Sequence, residues 1–110
     1  MADTINAGTT LRELNNLYNT MPASNEAEKT AKDTVFQQIQ DLTKQVEALR
    51  KSVIDETLAQ YAAATKSMAN ANKAIADAQK DISKVANTVS IVAKAVTDIG
   101  ELLKVLSLGV

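Results

Sequence analysis

The side chains that most often carry catalysis or hold a metal are missing from this chain of 110 residues, which has no His and no Cys. General-base duty would fall to Asp, Glu or Lys, and nucleophilic attack to Ser, Thr or Lys. Asp55 and Glu56 are an adjacent acidic pair, but neighbours on a helix point about 100° apart and do not converge on one substrate. Ser67 beside Lys66 and Ser83 beside Lys84 read as ordinary surface pairs. The three glycines, Gly8, Gly100 and Gly109, form no phosphate-cradling loop. Without Cys and His, the usual zinc and haem ligands and the Glu-x-x-His pairs of di-iron bundles are absent. The inventory therefore predicts no catalytic, cofactor-binding or metal-ligating residue and no cofactor, and the chain reads as a non-enzyme.

Charge excludes a second class. The formal net charge is −1, with 12 basic and 13 acidic residues, so no long-range field draws in nucleic acid or an acidic membrane. Lys44, Arg50 and Lys51 make a small basic spot flanked by Glu47 and Asp55. Phe36, Tyr18 and Tyr61 do not interleave with it as the stacking aromatics of a single-strand binder would. The spot reads as a solvated face, and no nucleic-acid partner is expected.

What remains is helix. Ile75, Ala78, Ile82, Val85, Val89, Val92, Val96, Ile99, Leu103 and Leu106 recur at spacings of three and four, a heptad-like seam. Ala86, Ala93, Ala95 and Leu102 widen it, so one partner helix cannot cover the whole apolar sector. Val85, Val89, Val92, Val96, Ile99, Leu102, Leu103 and Leu106 are the expected interaction face. A second seam runs through Val35, Ile39, Leu42, Val46, Leu49 and Val53. It slips by one position at Val53–Ile54 and resumes as Ile54, Leu58, Tyr61, Thr65 and Met68, a change of local supercoil or of partner.

Boundaries come from capping and turn chemistry. Residues 1 to 9 read as disordered or loosely attached. Thr10 and Glu13 have capping-box spacing ahead of Leu11, Leu14, Leu17 and Tyr18, predicting a short helix over Leu11–Asn19. Pro22 ends it, Ser24 or Asn25 caps the next helix, and Asn25 with Glu28 repeats the box spacing. Residues 59 to 78 hold nine alanines, interrupted by Asn70-Ala71-Asn72, and the best turn former between Pro22 and Gly100 is Asn. A hairpin turn is therefore placed at Ser67–Lys73. Gly100 reads as a tolerated helix glycine, with a hinge as the alternative, and Gly109 as the final stop. Residues 26 to 56 carry seven acids against five bases, and residues 57 to 110 four acids against six bases. That split mildly favours pairing one arm with the other over a single rod from Glu26 to Leu106.

The expected fold is all-α. A flexible segment with a short helix (1–22) leads into an antiparallel, coiled-coil-like hairpin of two long helices (23–110), set in a small bundle or oligomer. The layout over residues 25 to 106 resembles the small helical-hairpin proteins of bacterial secretion systems, needle-type subunits or the family with a Trp-x-Gly turn, although this chain has no Trp. That resemblance implies a non-enzymatic assembly module, secretion-associated or exported without a cleaved signal. The partner would be another protein or a second copy, held through the C-terminal helix.

Two other readings stand beside it. One is an amphipathic, interfacial or pore-forming helical protein, with a membrane surface as the partner. The other is a small partner-binding regulator, chaperone or immunity-type protein. The N-terminus has no Lys or Arg and no apolar run, and the longest charge-free stretch of the apolar C-terminal third is Val85 to Ala93. A cytoplasmic protein, or one secreted without a cleaved signal peptide, is expected.

Overall fold

Ala7, Thr10, Leu14 and Leu17 follow one another at three-four-three spacing, and all four are buried. This spacing, rather than a cap at Thr10, sets the first helix. In the structure, a computed structural model that describes residues 7–108, α1 spans Ala7–Thr20. The helix expected from Leu11 starts earlier because Thr10 is worth more inside than at an end. Its hydroxyl donates to Asn72 Oδ1 at 2.6 Å across the fold. The loosely attached start expected for residues 1–9 is helix from Ala7 onward, and its first six residues lie outside the described part. With Leu14 and Leu17 fully buried, α1 belongs to the core rather than to a flexible leader.

The first turn follows the sequence. Pro22 stands just past α1, and Asn25 caps α2 (Glu26–Lys51), accepting from the Glu28 amide at 2.9 Å. The Glu28 carboxylate reaches back to the Ser24 amide, also at 2.9 Å. Val35, Leu42, Val46 and Leu49 are buried along α2, as the seam requires, and Ile39 packs against the core from a half-buried position.

Two further breaks differ from the expectation, and one piece of chemistry makes both. α2 stops at Lys51, and α3 runs Ala59–Lys80. In the connector the Asp55 carboxylate accepts from the Thr57 amide at 2.9 Å and the Thr57 hydroxyl at 2.6 Å. After α3, Asp81 Oδ1 accepts from the Ser83 amide at 3.1 Å and the Ser83 hydroxyl at 2.7 Å. A 3-10 turn, Ile82–Lys84, then leads into α4 (Val85–Leu108). An Asp that bonds its own backbone two residues on offers the chain a turn in place of helix.

The turn placed at Ser67–Lys73 is therefore helix, inside α3. Ser67, Met68 and Ala71 are buried there, and Asn72 is used by Thr10 instead of by the backbone. Nor is the seam from Ile75 to Leu106 continuous: Ile82 has left it and is 45% exposed. The single rod from Glu26 is not formed.

Side-chain bonds between helices give the topology. Gln38 and Gln45 on α2 reach the carbonyls of Val89 and Val96 on α4, so these helices run parallel. Thr10 meets Asn72, and Glu13 meets Gln79, so α1 and α3 are parallel too. Thr88 on α4 donates to the Ala74 carbonyl on α3, and Ser67 donates to Asp98, which makes α3 and α4 antiparallel. Each helix thus has two neighbours: α1 and α4 both pack on α2 and on α3. The result is a four-helix bundle, 48 × 19 × 18 Å, in which α2 and α3 lie on one diagonal. The two-armed hairpin of the sequence reading gives way to two hairpins, α1–α2 and α3–α4, laid side by side.

Their shared core is aliphatic, with Leu14, Leu17, Leu42, Met68, Ile75, Ile99 and Leu102 fully buried. Ala64, Ala71, Ala74 and Ala78 of α3 are buried at its interfaces with the other helices. Gly100 sits unbroken inside α4, and a methyl there would meet Gln45 Nε2 at 3.7 Å. It is a tolerated glycine, not a hinge. Gly109, read as the final stop, lies outside the described residues.

Candidate interaction surface

The eight residues expected to form an interaction face look inward. Val85, Val92, Ile99 and Leu102 are buried in the bundle, and Val89, Val96, Leu103 and Leu106 are half-buried against it. α2 and α3 cover the width of the α4 seam, which one neighbour could not do. The apolar groups left at the surface are others: Phe36 (47% exposed), Val53 (93%) and Ile82 (45%).

Val53 stands on the connector between the two hairpins. It adjoins a recess of about 360 Å³ between the C-terminal ends of α2 and α4, bounded by Ala48, Ser52, Leu103 and Leu106. Lys51 and Ser107 complete its rim. At the opposite end Ile82 adjoins a second recess of about 290 Å³ with Met21, Pro22, Ala27, Ala31 and Val85. On the side of the bundle, Tyr18 and Phe36 meet at 5.8 Å between ring centres, and Lys32 Nζ lies 4.8 Å from the centre of the Tyr18 ring. Two of the three aromatic residues of the chain are therefore together near the surface. Tyr and Phe beside a cation are typical of the anchors that dominate protein–protein contacts.

A depression of about 450 Å³ runs between α3 and α4, its lining mostly apolar with charged groups among it. Lys73, Lys84 and Lys94 line it with Asp77. Asp98 sits 3.4 Å from Lys94 Nζ, and Asp81 adjoins Lys84. Three bases are thus matched by three acids, and the groove has no net field with which to hold an anion.

The side chains singled out for chemistry are not gathered together. Asp55 is engaged with Thr57, and those hydrogen bonds hold its carboxyl below the ordinary value of 3.8. Asp81 is lowered likewise, by the Ser83 hydroxyl and amide and then by Lys84. Ser67 is buried and donates to Asp98 instead of facing Lys66. Ser83 donates to Asp81. Arg50 and Lys51 of the basic spot occupy the last turn of α2, where cations complement the helix dipole. Among the described residues no group of three carboxylates could hold a metal ion, and no helix is long and apolar enough to cross a membrane.

The exposed Val53 and the two Asp-x-Thr/Ser turns escaped the sequence reading. Their signal was present in Asp55-Glu-Thr57 and Asp81-Ile-Ser83, each just ahead of a helix start. Searches against protein-family models, curated proteins and solved structures find no match to this chain.

Proposed function

We propose that this protein is a non-enzymatic helical module that works by protein–protein contact and assembly. One observation carries the reading. Val53, a large aliphatic residue, is 93% exposed at the end of the bundle, beside a recess walled by Leu103 and Leu106. A fully exposed valine forgoes about 1.5–3 kcal/mol of burial, and apolar groups clustered around a recess mark contact sites more often than scattered ones do. The Tyr18–Phe36 pair adds a second anchor on the flank. Light scattering on purified protein from micromolar to millimolar concentration tests self-assembly. A mass that rises above one chain supports it, and a single-chain mass throughout removes it.

A second reading, a monomeric regulator or chaperone for a different protein, is favoured specifically by the Tyr18, Phe36 and Lys32 group. It predicts a constant single-chain mass together with loss of a partner on Phe36→Ala. The interfacial reading requires α4 to leave the bundle, because its apolar seam faces α2 and α3. Flotation with liposomes tests it: a lipid-bound fraction at neutral pH is required.

A further inference from the structure

We propose that the segment 52–58 is a hinge through which two copies of this chain exchange hairpins, the α1–α2 pair of one copy packing on the α3–α4 pair of the other. The inference deepens the assembly reading by naming the partner and the mode. Three observations converge on it.

The first is the register of Val53. Buried positions on α2 run Val35, Leu42, Val46 and Leu49, and Val53 is the next at a spacing of four. It belongs to the inward face of a longer helix, yet the break turns it into water. Continued as helix, Leu49, Val53, Thr57, Tyr61, Ala64 and Met68 follow at spacings of four, four, four, three and four. That is one face with two successive stutters, a one-residue skip, which a packed helix absorbs by local unwinding.

The second is how weakly the break is specified. Residues 52–58 contain neither Gly nor Pro. Leu58 caps α3 with no side-chain hydrogen bond, and leucine is among the poorest N-caps. Asp55 bonding to Thr57 and the Leu58 amide reaching the Asp55 carbonyl at 3.3 Å help hold the turn, with Ser52 closing α2 on Leu49 and Ala48 and with Ile54 and Leu58 half-buried against the core. No hydrogen bond is made by the Val53 amide among the described residues. Straightening this segment makes Glu26–Lys80 one helix, which at 1.5 Å per residue is about 82 Å long.

The third is that nothing between the hairpins depends on their being in one chain. Among the bonds across that boundary are Thr10 to Asn72, Gln79 to Glu13, Gln38 to Val89 and Gln45 to Val96. Each can be made as well by a second copy, which is why exchange of an identical element is a low-cost route to a dimer. In the exchanged dimer the two bundles meet end to end. The recesses beside Val53, with Leu103 and Leu106, then face one another across the two-fold axis.

The chain has no Cys, so a pair of introduced thiols reports the connection directly. In Thr10→Cys/Asn72→Cys, oxidation or a short bis-maleimide should link α1 to α3. After incubation at millimolar concentration the link is expected between chains, giving a covalent dimer on a denaturing gel. Formed at micromolar concentration, it is expected within one chain. Val53→Pro, which removes no hydrogen bond seen here and forbids helix through the hinge, should weaken the dimer at least tenfold. A Gly-Ser-Gly insertion after Asp55 should do the same without relying on proline. A doubled mass with the thiols linked only within chains would overturn exchange and leave assembly standing. A single-chain mass at every concentration would overturn both.

Discussion

Gln45 on α2 donates from Nε2 to the backbone carbonyl of Val96 on α4 at 2.9 Å. Seven residues earlier Gln38 makes the same bond, also at 2.9 Å, to Val89. A heptad step on one helix is matched by a heptad step on its parallel neighbour, so the two amides fix the register of α2 against α4. The arrangement has a cost, because Oε1 of both glutamines is buried without a hydrogen-bond partner among the described residues. Replacing a half-satisfied buried amide by an apolar side chain of similar size is nearly neutral or stabilising. Gln38→Leu is therefore expected to leave the urea midpoint unchanged or to raise it by the equivalent of about 1 kcal/mol. Gln38→Glu places a carboxylate against a carbonyl oxygen and should cost about 2–3 kcal/mol at pH 7. If Gln38→Leu lost as much as Gln38→Glu, the amide would be holding the bundle together rather than only setting its register.

The α4 seam separates two valines that the heptad pattern treats alike. Val92 is fully buried, whereas Val96 is half-buried at the edge of the core. An unpaired carboxylate at Val92 must be neutralised or expelled, at several kcal/mol in a fold whose whole stability is about 5–15 kcal/mol. Val92→Asp is expected to abolish cooperative unfolding in circular dichroism melts, and Val96→Asp to lower the Tm while keeping a single transition. Equal effects would mean that α4 sits in the bundle with a different rotation.

Gly100 gives the opposite sign. The space a methyl would enter holds only Gln45 Nε2, at an ordinary contact distance of 3.7 Å. Alanine in a helix interior is favoured over glycine by about 1 kcal/mol. Gly100→Ala is expected to raise stability by about that amount, read as an increased midpoint in urea with an unchanged slope. A loss would show α4 pressed closer to α2 at this level than its neighbours allow.

These contrasts mark what the sequence could disclose. The seams of α2 and α4, with Val85, Val92 and Ile99 among their positions, were legible as faces that must be covered because burial on a helix has a period that residue types report. The Asn25–Glu28 cap was legible because its partners are three residues apart. Asn72 shows the converse: its residue type favours a turn, but its partner, Thr10, is 62 residues away. The inward face of α4 was read as a partner-seeking surface because periodicity says that a face is covered and not by which chain. Val53 was hidden twice over, being a correct member of the α2 seam that ends up outside it.

The turns at Asp55 and Asp81 should be sensitive to acid, with a sign that follows from their hydrogen bonds. Thr57 holds the Asp55 carboxyl below its ordinary 3.8, and Ser83, with help from Lys84, does the same for Asp81. A carboxyl depressed in the folded state lends stability that is present above the unfolded value and is lost as pH falls through the folded one. The window is therefore below about pH 3.8, and nothing should change between pH 5 and pH 8 on this account. Both groups are exposed, so the effect is confined to the turns. Amide exchange at Thr57 and Ser83 is expected to lose protection, after correction for intrinsic rates, as pH drops from 5 to 2.5. In Asp55→Asn/Asp81→Asn that pH dependence should flatten. Because the hinge between the hairpins contains Asp55, the wild type should also shift toward the exchanged dimer over the same interval, and a Val53→Pro chain should not. An acid shift that survives Val53→Pro would trace the response to carboxylates elsewhere in the bundle.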